Sequence, residues 1–317
     1  MTNLRTRSRR ARRHSPLLFY AFASPWALGF LLLTAGPLVY SLWLSFQTYD
    51  GLTARSRFVG FDNYRNLLGD HKVTDALGRT AMFTLIVVPA VIVAALLLAV
   101  VLNQRRKGVT LFRALIFLPA VIPVVASALM FKLMFDRDRG LVNAILGQVG
   151  IGRVFWLSGD SARFVLIVMS LWALGGGMLI FLAALQDVPA ELIEASTLDG
   201  AGGVRRFFSI TVPLVSPTIF FQVVVNLIFA SQILIEPILI SPTSQSGGSG
   251  LLGASTVPEV NRLYLVEVGN QLFSFSRFGY AAAMLWVLLA VLLGVTVLLL
   301  RLSRRFVFYA GVDRGDL

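Results

Sequence analysis

ELIEASTLDGAGGVRRFFSITVP, residues 191–213, is a polar, glycine-broken stretch between two apolar runs, at about 164–186 and 214–235. Each run is long enough to cross a hydrocarbon core of about 30 Å, for which about 20 helical residues suffice. Four more such runs lie at about 17–46, 81–104, 114–134 and 280–300. With 56% hydrophobic and 14% charged residues, and a mean hydropathy of +0.78, the chain reads as a membrane protein with about six transmembrane spans. Backbone groups in lipid must be satisfied within the segment, and the runs lack the period-two alternation of barrel strands, so the expected class is all-α. Pro25, Pro37, Pro89, Pro119, Pro123 and Pro217 are expected to kink or start helices.

Composition also removes several chemistries. There is no cysteine, and the two histidines, His14 and His71, lie outside the apolar runs. Thiolate nucleophiles, cysteine-held metals and histidine catalysis at membrane depth are therefore excluded, no catalytic residue is assigned and no metal site is expected. The net charge of +12 gathers largely at the ends of apolar runs, where anionic lipid head groups, rather than nucleic acid, are the expected partner.

Cationic residues set the expected orientation. The tail RTRSRRARRH at 5–14 holds six arginines, and even-numbered crossings put NQRRKG at 103–108, the 187–213 loop and RLSRR at 301–305 on its side. Arg55, Arg57, Arg137 and Arg139 dilute the bias without reversing it, so both termini are expected in the cytoplasm. The run after the tail is too long for a signal h-region, so the tail reads as a topological anchor. The expected organisation is a basic tail at 1–16, a six-helix membrane domain at 17–300 containing the 187–213 loop, and a second tail at 301–317.

Within that loop Asp187 or Val188 is expected to cap a helix, Pro189 suits its first turn, Glu191 complements the dipole, and Gly200 can end it in a left-handed conformation. Val188, Leu192 and Ala195 then share one apolar face, and VRRFFSIT at 204–211 is expected to form a second segment ended by Pro213. An isolated helix of about ten residues is marginal in water, which points to docking on a partner protein; lying flat on the membrane is the alternative.

The spacing Glu194-Ala195-Ser196, Asp199-Gly200-Ala201, then Ile210 and Pro213 resembles the EAA loop of permease subunits in bacterial ATP-binding-cassette importers. Ser196 stands where that family usually has alanine, and Val212 where it usually has leucine. FVGFDNYRNLL at 58–68, FRALIFLPAVIP at 112–123 and MLIFLAALQDVPAELIEAS at 178–196 are similar to the carbohydrate branch, the first of them to the first of its two paired permeases. The resemblance implies that Glu194, Ala195, Ser196, Asp199, Gly200, Ala201, Ile210 and Pro213 belong to a loop that docks on a cytoplasmic ATPase dimer. It implies further partners: a second permease subunit, an extracytoplasmic solute-binding protein and a sugar-like substrate. Bottom-up chemistry agrees that the ATPase is separate. A phosphate-binding Walker loop needs a glycine-rich run ending in lysine and Ser or Thr, and Lys72, Lys107 and Lys132 lie in no such sequence. ATP and Mg are thus expected on the partner, with no cofactor on this chain. A local cap, or a salt bridge from Glu194 to Arg205 or Arg206, is the structural alternative.

The fifth run, TIFFQVVVNLIFASQILIE at 218–236, offers a substrate path. At about 100° per residue from Gln222, Asn226 falls at about 40°, Phe229 at about −20° and Glu236 at about −40°, with Gln232 beside them. Amides beside an aromatic face suit sugar hydroxyls and C–H faces, while interhelical hydrogen bonding is the competing role. For Glu236 interhelical hydrogen bonding is favoured, because Pro237 places the end of the helix at the outer interface. Trp172 and the Gly175–Gly177 triplet permit either a cavity wall or close packing. SPTSQSGGSG, 241–250, reads as flexible, and the loops about 47–79 and 241–279 are long enough to meet a binding protein. An ion-driven carrier is the rival class, with Glu236 the only carboxylate near the middle or end of a span; an intramembrane enzyme lacks its nucleophile–base pair.

Overall fold

The computed structural model describes residues 16–51, 56–104, 107–242 and 257–306. The basic tail before residue 16, Arg55, Arg105 and Arg106, residues 243–256, which include most of the stretch expected from sequence to be flexible, and the tail after residue 306 lie outside the described residues.

The first apolar run is one continuous helical path: α1 (Pro16–Phe30), a π-turn (Leu31–Ala35) and α2 (Gly36–Ser45). The π-turn has a local cause. Pro37 offers no N–H and its ring would strike the carbonyl four residues back, so the helix widens and the Gly36 N–H bonds to Leu31 instead. None of the span's apolar window is buried. Beyond α2 a two-residue antiparallel pair, β1 (Gln47–Thr48) with β2 (Arg57–Phe58), leads to α3 (Asp62–Gly69). Asn63 fastens α3 by donating from Nδ2 to the Ser45 and Gln47 carbonyls, at 2.8 and 3.0 Å.

The central pillar is α4 (His71–Leu102), whose 32 residues begin ten positions before the expected run at residue 81. Asp70 caps it through the Lys72 N–H at 3.0 Å, and Val73, Ala76 and Thr80 already face inward. The added turns carry His71, Lys72, Asp75 and Arg79 on their other faces, which hides them from mean hydropathy. The third run is broken rather than straight: α5 (Val109–Val121) and α6 (Val124–Met134) meet at 96°. Ile122 is extended because Pro123 follows it.

After α6, the Asp136 carboxylate accepts the Arg139 and Asp138 N–H groups, which hold it below the usual carboxylate range. A short α7 (Leu141–Gln148) follows, and Asn143 gathers the loop by accepting Trp156 Nε1–H at 3.0 Å while donating to the Arg137 and Val154 carbonyls. The fourth run is α8 (Ser161–Trp172) and α9 (Gly175–Gln186), bent by 43° at Ala173-Leu174. The polar loop holds α10 (Ala190–Leu198), α11 (Gly203–Arg206), a second π-turn (Phe207–Thr211) and α12 (Val212–Leu214). The fifth run is α13 (Ser216–Ser231), with a separate α14 (Ile235–Ile240). Finally α15 (Tyr264–Phe273) precedes α16 (Phe278–Phe306). Read only as a long loop from the sequence, the α15 segment is in fact buried: Tyr264 N–H bonds Thr80 Oγ1 at 2.8 Å and its hydroxyl donates to the Met284 carbonyl at 3.0 Å.

The architecture is all-α, and among the described residues there are three continuous candidate spans and three bent pairs, six in all if each pair crosses once. The core lies where α4 meets α9, α13 and α8. Phe83, Val87, Val91, Ala95 and Ala99 pack against Val165, Leu166, Met178, Phe181 and Leu185. In lipid, burial of apolar surface gives no advantage over a lipid tail, so close packing at small residues has to supply the attraction. Gly175 shows how close: a Cβ there would overlap the Ile116 carbonyl oxygen of α5.

Candidate functional site

Two places gather the polar groups singled out above. The first is the elbow at α10. Its helix starts later than expected: Asp187 is the C-cap of α9, not the N-cap of α10, and Pro189 in extended conformation sets the first helical residue at Ala190. Its end is a Schellman closure. Gly200 takes φ +76°, so the Gly200 N–H reaches the Thr197 carbonyl and the Ala201 N–H reaches the Ser196 carbonyl at 2.9 Å. Ser196 is buried and donates its hydroxyl to the Ile193 carbonyl at 2.7 Å, so the polar atom is satisfied inside its own helix.

The apolar face expected for Val188, Leu192 and Ala195 divides. Val188 precedes the helix and packs on the core, whereas Leu192 and Ala195 point outward with Leu198, which is 89% exposed. Glu194 and Asp199 are also exposed. Among the described residues Glu194 forms no ion pair with Arg205 or Arg206; Arg206 donates to Thr197 Oγ1 at 2.9 Å. The second arm does not end at Pro213. Its ring and missing N–H instead produce the π-turn at Phe207–Thr211, with Val212 N–H bonded to the Phe207 carbonyl, and helix continues to Leu214. Ile210 and Pro213 are half-buried on this arm. Between the elbow and α5 lies a groove of about 850 Å³ whose wall includes Glu194, Arg206, Arg113 and Gln186. Arg113 also donates to the Leu102 carbonyl at 2.7 Å, satisfying an end group of α4.

The second place is a cavity of about 660 Å³ beside α13, and it brings together Gln222, Asn226, Phe229, Gln232 and Glu236. Gln222 is 3% exposed and lies against Gly177, where an added Cβ would stand 2.8 Å from its Nε2. Asn226 donates to the Gln222 carbonyl at 2.8 Å, while Phe229 is 69% exposed. Regular helix ends at Ser231, five residues short of the end expected at Glu236, so the helical stripe does not extend to Glu236. That residue instead reaches the cavity from α14, whose first turn accommodates Pro237. Glu236 thus borders open space, a setting beyond the interhelical hydrogen bonding favoured from sequence. Trp172 lines an adjoining cavity of about 240 Å³ that also includes Ser170 and Glu236, and its ring packs edge-on against Phe131 at 5.6 Å. Trp172 thus sits next to the α13 amides rather than among them.

The backbone breaks converge here. Ile122 borders the smaller cavity, Leu174 and the Gln232–Leu234 turn border the larger, and Ala173 borders both. Irregular backbone at membrane depth is tolerated where it is enclosed by protein or lines a watery space. Ser170 and this meeting of breaks were missed from sequence; Pro123 and Pro237, each just before or within a helical first turn, were the available signals.

Residues 68–308 match the family described as the binding-protein-dependent transport system inner membrane component. The chain is 38% identical over 304 residues to the probable ABC transporter permease protein YesP of Bacillus subtilis (strain 168), covering 95% of this chain and 94% of that one. It is 31% identical to the sn-glycerol-3-phosphate permease UgpA of Yersinia pestis, covering 85% and 88%. The arabinooligosaccharides permease AraP of Halalkalibacterium halodurans is 32% identical, with 90% and 88% covered. Among solved structures, a chain of the bacterial alginate ABC transporter, in complex with an alginate pentasaccharide-bound periplasmic protein, shares the fold at TM-score 0.78 and 22% identity, covering 91% and 94%.

Proposed function

The chain belongs to the binding-protein-dependent transport system inner membrane component family, as a multi-pass permease subunit, and from that premise we propose that it forms half of a path for a sugar-like solute. Its own contribution is transport: the chemistry of ATP hydrolysis, with its Mg, belongs to a separate cytoplasmic ATPase dimer. Arabinooligosaccharides, glycerol phosphate and alginate, the solutes in the relatives' names, share arrays of hydroxyls. The observation that carries the solute class is the cavity in which Gln222, Asn226 and Gln232 stand beside Phe229 where broken helices meet. Amides both donate to and accept from hydroxyls, and an aromatic face takes the C–H side of a pyranose ring.

The 187–213 elbow lies on the cytoplasmic side, with both termini, and α10 docks on the ATPase. Leu192, Ala195 and Leu198 form the apolar part of that contact and Glu194 the charged part. ATPase closure moves α10, the lever formed by α10 to α12 passes the movement to α13, and the cavity turns between the two sides. A second permease supplies the opposite wall, and an extracytoplasmic binding protein delivers the solute.

Uptake of radiolabelled sugar by the reconstituted complex tests the path. Asn226→Ala is expected to raise the transport KM or change sugar preference while the complex stays assembled. Unchanged kinetics, or loss of the folded complex, would assign Asn226 to helix packing instead.

A further inference from the structure

Glu236 stands in the wall of both cavities, and no other residue lining either of them is ionisable. The remaining polar side chains there are serines, amides and one indole: Ser127, Ser170, Gln222, Asn226, Gln232 and Trp172. Among the described residues Glu236 makes no ion pair. The break after Ser231 and the restart at Ile235 place Glu236 in the wall that also holds the α13 amides. The one carboxylate in a space otherwise lined by neutral side chains sets the sign of the local potential. The low-dielectric walls focus its field into the open space between them.

Building on the reading of this cavity as the solute path, we propose that Glu236 makes this subunit's wall a filter of charge. It admits neutral and cationic sugars, and turns away phosphorylated or acidic ones. Neutral sugars lose nothing to the carboxylate, which accepts hydrogen bonds from their hydroxyls; an amino sugar gains a partner; a phosphate or uronate meets like charge with no arginine or lysine on this wall to offset it.

The native chain has no cysteine, so one introduced thiol is the only one this subunit presents. Phe229→Cys puts it on the exposed cavity wall. In membrane vesicles holding the whole importer, its modification rate is measured with the cationic trimethylammonioethyl and the anionic sulfonatoethyl methanethiosulfonates. The same complex without the substitution scores the partners' thiols. The cation-to-anion rate ratio is expected to fall on the order of tenfold when Glu236→Gln is added, and to be retained in Glu236→Asp. A ratio unmoved by Glu236→Gln would overturn the assignment. Uptake is read separately in the importer without the introduced cysteine, carrying Glu236→Gln: a ratio that depends on Glu236, together with an unchanged preference for neutral over phosphorylated sugar, would leave the charge assignment standing and remove the cavity from the path.

Discussion

Gly200 shows what one residue contributes to the elbow. Its φ of +76° lies where an L-residue with a Cβ pays about 1–2 kcal/mol, yet nothing lies within 4 Å of where that Cβ would be. The cost of substitution is therefore backbone strain, without steric conflict. Gly200→Val is expected to loosen the closure at Ser196 and Thr197, fray the end of α10 and weaken ATPase capture in a detergent pull-down. Gly200→Asn, which tolerates the left-handed region, is expected to keep most of it. Equal capture by the valine variant would show that the closure is dispensable. This glycine was legible from its place after an apolar helical stretch. Glu236 was legible only as an oddity, because its route to the cavity depends on a break after Ser231 that helical periodicity alone does not show.

At the scale of elements, α10 is nine residues long and turns two leucines outward, a combination that isolated helix energetics do not support in water. In the proposed docking, Glu194 beside them is the charge that the ATPase reads. Glu194→Lys is expected to leave the subunit in the membrane and its helices intact, while abolishing uptake and weakening association with the ATPase; normal uptake would sink the docking assignment. Apolar runs told where spans lie because lipid demands length, and Gln222, Asn226 and Phe229 share a wall because α13 is regular between them. Where a helix mixes environments the signal faded. Early α4 and all of α15 bury one face and carry His71, Lys72, Glu267 or Gln271 as well, so mean hydropathy reads them as loop. The π-turns before Pro37 and Pro213 were legible as disturbances, but the choice to widen rather than end the helix comes from the helix on both sides of the proline.

At the scale of the whole molecule, the first span is the part that the chain itself does not explain. Its apolar window has no buried share, and before Gly36 it leaves Phe22 and Leu33 at least 80% exposed, while α2 beyond it packs on α16. The cavity beside α13 likewise has a wall of this chain's residues on one side and is open elsewhere, which is half of what a sugar needs to be sheltered from lipid. Both features are what a subunit shows when its complement is another membrane chain. Lipid satisfies apolar side chains but cannot offer hydroxyl partners to a solute, so lipid alone completes the first span and leaves the path unfinished. Purification from the native membrane in mild detergent, with mass spectrometry of what stays attached, separates these outcomes. A second polytopic permease and a Walker-A-bearing ATPase are expected with this chain, and labelling at Phe229→Cys is expected to be shielded more in that complex than in the isolated subunit. Recovery of this chain alone, under conditions in which other multisubunit membrane complexes survive, would mean that its open wall faces lipid and that the solute path has to be sought elsewhere in the fold.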